Sequence, residues 1–211
     1  MGRVVIEEGE CVMGQRVSAF LCILLLFAVS SVNATIVDWS CTNDSANFVI
    51  SSPPVWTQDG ITIDGSQSGK PAILSGSITT DTEGFDPTVG IIEDVQNDTS
   101  FAWTDYHIAI GMNKTFSILN TGLMTPDGWY SVITAVAPGI TPTGGNGWVG
   151  TVDYYQGTGD PVAIGDDGLF GFKVSFTGST LYCTGQNPTP EPTTIILLGL
   201  GAIAVIKRRR V

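Results

Sequence analysis

The sequence predicts an all-β chain: a single antiparallel β-sandwich or jelly-roll-like domain, flanked by an N-terminal signal helix and a C-terminal transmembrane helix. Three observations carry this expectation. Phe170, Phe172, Val174 and Phe176 alternate with Gly171, Lys173, Ser175 and Thr177, the period of two that turns one strand face to a core and the other to water. Turn formers recur at short intervals: Asp59-Gly60, Asp64-Gly65, Asp127-Gly128, the GGNG of 144–147 and Asp167-Gly168. Between residues 35 and 188 no apolar spacing of the helical kind is visible.

Taken in order, residues 1–12 carry Glu7, Glu8 and Glu10 where an export leader needs positive charge, so they read as an extension upstream of a natural start at Met13. Residues 13–34 read as a secretory signal peptide, with Arg16, an apolar stretch over 19–29 and a small-residue cleavage site ending at Ala34. Cys22 lies inside that stretch, which argues against lipidation. The sandwich domain spans 35–185. Ile61 and Ile63 alternate with Thr62 and Asp64, and apolar, β-branched runs lie at 48–51, 72–79, 89–95, 106–110, 115–119, 129–136 and 148–154. About nine or ten short strands at even spacing suit two packed sheets. Residues 138–147 and 156–160 read as loops, 186–192 as a linker, and 193–211 as a transmembrane helix with a basic stop.

The C-terminus is the most specific part of the chain. Pro190, Glu191 and Pro192 hold the backbone extended and end any helix upstream. The apolar run 193–206 has 14 residues, about 21 Å as a helix and short of a ~30 Å hydrocarbon core. Lys207, Arg208, Arg209 and Arg210 close it; they can snorkel to the interface and keep that end cytoplasmic. Pro-Glu-Pro, a glycine-containing apolar run and a Lys-Arg-Arg-Arg terminus together resemble a PEP-CTERM sorting signal. The resemblance covers about 22 residues. It implies recognition by an exosortase, an integral-membrane peptidase that cuts at or near Pro-Glu-Pro, in exported proteins of Gram-negative bacteria that make exopolysaccharide. The alternative is a permanent C-terminal anchor. Either reading starts the domain on the outer side of the inner membrane.

Charge narrows the partners. Between residues 35 and 188 stand sixteen acids against Lys70, Lys114 and Lys173, near −13 with no arginine. Nucleic acid is thereby excluded as a partner, since phosphate binding needs clustered cations. An acidic polysaccharide would need divalent cations between it and this surface. Cys41 and Cys183 sit near the two ends of the domain. Export to an oxidising compartment makes a disulfide between them the natural expectation, two free thiols the alternative.

Candidate chemistry is sparse. Trp103-Thr104-Asp105-Tyr106-His107 resembles a stretch in many PEP-CTERM proteins with sandwich-like domains, which supports a shared fold more than a shared chemistry. Asp105 and His107 fall on one strand face and could build a general base; a half-buried histidine satisfied by a neighbour is the plainer reading. Calcium could be held at Glu93-Asp94 with Asn97-Asp98, or at Asp160 with Asp166-Asp167, although Asp-Gly pairs also simply make turns. No metal ligand set is expected from spacing. Trp56, Trp129, Tyr130, Trp148, Tyr154 and Tyr155 could stack on sugar rings, with Trp148 and Tyr154 favoured because each lies beside a loop; filling a core is the alternative. No catalytic residue is expected: there is no Ser-His-Asp pattern, zinc spacing or phosphate loop. The sequence thus points to a non-catalytic exported matrix or surface protein associated with exopolysaccharide. A carbohydrate-binding module, with calcium as a conceivable aid, is the first alternative and an extracellular polysaccharide hydrolase the second.

Overall fold

A computed structural model describes residues 35–82 and 87–190. The signal peptide with Ala34, the transmembrane run, Glu191, Pro192 and Lys207, Arg208, Arg209 and Arg210 lie outside the described residues. The strands in chain order are β1 (Ile36–Trp39), β2 (Thr42–Asn43), β3 (Phe48–Ile50), β4 (Val55–Thr57), β5 (Gly60–Gln67), β6 (Ala72–Thr80) and β7 (Thr88–Asn97). They continue as β8 (Trp103–Met112), β9 (Phe116–Met124), β10 (Trp129–Ile140), β11 (Asn146–Gln156), β12 (Asp167–Phe176) and β13 (Thr180–Pro190). The described residues are all-β, as the sequence implies.

The strands form two sheets. The first runs β1-β6-β13-β8-β11-β10, with β2 also paired to β6; the second runs β3-β5-β7-β12-β9, with β4 also paired to β5. Tyr106, Ile108 and Ile110 of β8 and Phe170, Phe172 and Val174 of β12 are fully or almost fully buried between them. Tyr106 stacks on Phe170 with ring centroids 4.1 Å apart. Each such side chain stabilises the fold by roughly 1.5–3 kcal/mol over an exposed position, so the period-two stripe in the sequence is the core itself.

Two expectations need correction. The sandwich is not wholly antiparallel, because β5 and β7 pair in parallel, Ile61 opposite Ile91 and Gly65 opposite Val95. The cause is topological: β6, between them in the chain, belongs to the other sheet. The chain crosses over and returns, and a double reversal leaves β5 and β7 pointing the same way. The second correction concerns the linker at 186–192: its described part, 186–190, is the end of β13, paired with β8 up to Pro190. Pairing of β13 to β6 ends at Gln186 opposite Ala72. Beyond that point the strand has one neighbour, which is where a sheet tolerates prolines such as Pro188 and Pro190.

The expected loop at 138–147 is also shorter, since β10 reaches Ile140 and β11 starts at Asn146. Thr141 and Pro142 of this turn fold onto β8, where a Cβ at Gly111 would meet Thr141 Cβ at 2.8 Å and Pro142 Cδ at 2.9 Å. Glycine is the residue that lets the turn lie this close.

Candidate functional site

Alternation along β8 buries Tyr106, Ile108, Ile110 and Met112 and turns Asp105, His107, Ala109 and Gly111 to the outer face. Trp103 breaks the parity and is buried, because the register with β13 shifts between Thr189 and Pro190. A bulge of this kind re-aims a side chain. Neighbouring strands then fix what surrounds His107. Asp153 of β11 stands opposite His107 and Tyr155 opposite Asp105. Tyr130 of β10 stands opposite Tyr155. On the other flank, Asn187 faces His107 and Thr189 faces Asp105.

The resulting cluster is a connected polar and aromatic surface. His107 Nδ1 and Asp153 Oδ1 are 2.9 Å apart, both side chains half-buried. Thr151 Oγ1 donates to Asp153 Oδ2 at 3.3 Å, and Thr189 Oγ1 donates to Asp105 Oδ2 at 3.1 Å. The Tyr130 and Tyr155 rings stack with centroids 5.5 Å apart, and Tyr130 is 55% exposed. His107 meets the Tyr155 ring edge-on at 5.7 Å. Burial first, then the carboxylates of Asp153 and Asp105, push the Tyr155 phenol above its ordinary pKa. Asp105 and His107 do share a face, as the sequence implies, but the partner of the imidazole is Asp153.

The favoured stacking residues fare differently. Tyr154 is fully buried, and its hydroxyl donates to the Gly171 carbonyl at 3.0 Å, so it has no face to offer a sugar. Trp148 is half-buried and packed against the core. Trp129 is also buried, with its indole N–H donating to the Asp160 carbonyl at 2.9 Å. Among the described residues the exposed aromatic rings are Tyr130 and Trp56, with Tyr155, Trp148 and Phe101 partly exposed. A register shift between Thr134 and Ala137 puts Tyr130 beside Tyr155. Counting alternation back from the turn misses that pairing by one residue.

The expected Cys41–Cys183 disulfide is absent; both are free thiols. Thr42, next to Cys41, and Cys183 both stand opposite Ser75 of β6. That strand separates β13, which carries Cys183, from β2, which starts next to Cys41, by two sheet spacings, about 10 Å, where a bridge needs Cα atoms within roughly 7 Å. Their side chains also part company. The Cys41 thiol lies against the Tyr182 hydroxyl, and Cys183, one residue on, points to the opposite face. Burial holds the Cys41 thiol up at about 11. Cys183 floors an outer-face hollow of about 490 Å³ beneath the 141–145 turn, walled by Ser40, Ser75, Ser77, Asn113 and Thr143.

The carboxylate clusters considered for calcium come apart. Glu93 is fully buried in the core while Asp94 faces out, and Asn97 is committed to Phe101 and Val162 carbonyls at 2.9 Å each. Among the described residues no three His, Cys, Asp or Glu side chains converge on a metal position. What the sequence did not show is that Glu93 is a core carboxyl. Its Oε1 accepts from Gln186 Nε2 at 3.0 Å, while Glu93 Oε2 and Gln186 Oε1 have no partner. Burial, only partly offset by the Gln186 and Thr184 hydrogen bonds, raises its pKa to about 7. Gln67 ties the same cluster to Tyr106, whose hydroxyl donates to Gln67 Oε1 at 3.1 Å. The signal was present in the alternation Val89, Ile91, Glu93, Val95, which puts a carboxylate in an inward position.

Known proteins add one finding. Residues 188–210 match the PEP-CTERM protein-sorting motif. No curated protein and no solved structure matches the chain. The class this defines is a β-rich domain that carries an exosortase sorting motif at its C-terminus, the pattern of a sorted, exported protein. The recognition drawn from Pro190, Glu191 and Pro192, the apolar run and the basic stop therefore holds.

Proposed function

We propose that this protein is a non-catalytic component of the cell surface or extracellular matrix, associated with exopolysaccharide and sorted through its C-terminal motif. Before processing the tail holds it at the inner membrane; an exosortase-type peptidase then delivers the sandwich outward. The observation that carries this reading is the sorting motif at 188–210, which begins within the last strand of the folded domain. The charge near −13 supports it, favouring solubility and mutual repulsion outside the cell. The test is fractionation of cells making the full chain, with and without exosortase. Replacing Pro190, Glu191 and Pro192 by alanine is expected to trap the protein in the membrane fraction. An unchanged distribution refutes sorting.

A carbohydrate-binding role is the second reading, favoured by the Tyr130–Tyr155 stack beside Asp105, His107 and Asp153. Sugar C–H faces pack on such rings, and the flanking carboxylates favour a neutral or amino sugar over a uronate. Tyr130→Ala and Tyr155→Ala are expected to abolish retention on the producer's own polysaccharide; retention equal to wild type rejects this reading. The hydrolase reading has less support: it asks for paired acids in a cleft, whereas Asp105 and Asp153 lie on an outer sheet face, bonded to Thr189 and His107.

A further inference from the structure

We propose that the last strand sheathes the front of the sorting motif, so that a membrane peptidase reads it only when residues 187–190 peel away from β8. The proposal rests on the sorting reading above and adds the element that controls it. The matched motif begins at residue 188, yet β13 runs through Pro190. Pro188 and Thr189 stand opposite Tyr106 and Asp105, and Pro190 opposite Trp103. Motif and sheet therefore share residues.

The direction of the backbone groups decides how the motif can be reached. The Leu181 carbonyl accepts from the Asn113 N–H at the end of β8, at 3.2 Å. Successive residues of a strand turn their N–H and C=O to alternate sides. Asn187 and Thr189 therefore share the side of Leu181 and bond to β8, while Pro188 and Pro190 face the side that β6 has left. Prolines offer no N–H there. A peptidase cannot engage this edge by adding a strand, because strand addition needs donors at every second residue. The remaining route is to take the segment off β8. The Thr189 Oγ1 to Asp105 Oδ2 hydrogen bond at 3.1 Å and the burial of Pro188 resist that step.

Reach makes the constraint tight. Between Pro190 and Thr193, where the apolar run begins, lie Glu191 and Pro192. Three peptide steps span at most about 11 Å. A membrane enzyme that grips Pro-Glu-Pro thus meets the end of the sandwich with no spacer, and the rate of sorting follows local opening of β13.

The test is pulse-chase conversion of the full-length exported chain to its tail-free form in cells that contain an exosortase. Thr189→Val removes the side-chain clip and is expected to speed conversion about fivefold, the factor for ~1 kcal/mol. A six-residue Gly-Ser spacer inserted between Thr189 and Pro190 is expected to convert fastest. Asp105→Cys with Thr189→Cys joins opposed positions about 5.5 Å apart in such a ladder; this form is expected to stall until reductant is added. Equal rates for wild type, spacer and cross-linked forms overturn the sheath alone. No conversion of any form, the spacer form included, overturns the sorting reading beneath it. Thermal unfolding of each form is followed alongside, and the recovery of the cross-linked form on reduction shows that it is folded.

Discussion

Glu93→Gln is the substitution whose effect follows most directly from the core. In the folded protein Glu93 Oε1 is bonded to Gln186 Nε2, whereas Glu93 Oε2 and Gln186 Oε1 are both buried acceptors without a donor. Protonated Glu93 has one hydrogen to supply; ionised Glu93 has none and places a charge in the core. Burial accordingly lifts its pKa from 4.5 to about 7. A raised folded-state pKa means the native state holds a proton that the unfolded chain has released. Stability is therefore full below pH ~4.5 and falls as pH rises through about 7. At 1.36 kcal/mol per unit the loss is on the order of 3 kcal/mol. Glutamine at 93 keeps the acceptor, replaces the unpartnered Oε2 by an amide donor and does not titrate. The assay is urea unfolding of wild type and Glu93→Gln from pH 4 to 9. The difference curve cancels whatever pH dependence the two proteins share. The variant is expected to match wild type near pH 4 and to exceed it by up to ~3 kcal/mol at pH 9. A difference independent of pH refutes the reasoning.

Three further outcomes follow from particular contacts. Tyr154→Phe removes the buried hydroxyl that donates to Gly171 O, and is expected to lower stability by about 1–2 kcal/mol in urea unfolding. Gly76→Ala would place a carbon 1.9 Å from the Ser40 carbonyl oxygen, backbone against backbone; a loss of roughly 3 kcal/mol or more, or failure to accumulate folded protein, is expected. The melting temperature of the exported domain is expected to be indifferent to reductant, and thiol titration after unfolding in denaturant to count both Cys41 and Cys183, because both are free.

The legible part of the fold was the part that depends on local alternation. Phe170, Phe172, Val174 and Phe176 alternate in the sequence and form one inward face in the sheet. Turn chemistry was equally direct: Gly128, in the Asp127-Gly128 pair, takes a φ of 76°, a region open to glycine. What stayed hidden depends on neighbours. Residues 186–190 carry Gln, Asn, Pro, Thr and Pro, a linker composition by propensity. In the sheet this stretch ends β13 and pairs with β8, and that context overrides the propensity. The candidate site follows the same rule. That Asp105 and His107 share a face is a property of one strand and was visible. That Asp153, Tyr155, Tyr130 and Thr189 surround them is set by three registers and a bulge. The favoured sugar-stacking pair, Trp148 and Tyr154, turned on the same question of inside against outside. Cys41 and Cys183 failed as a disulfide for a cognate reason, since the sequence does not show that β6 lies between them.

The central claim is that a folded acidic sandwich is delivered outward by the motif fused to its last strand. The most direct measurement is the intact mass and C-terminal sequence of the protein recovered from the extracellular fraction of cells carrying an exosortase. The account predicts a chain that starts at Thr35 and ends close to Pro190, with β13 retained. Recovery of chains that still carry Lys207, Arg208, Arg209 and Arg210, in equal amount with and without the exosortase, would contradict it.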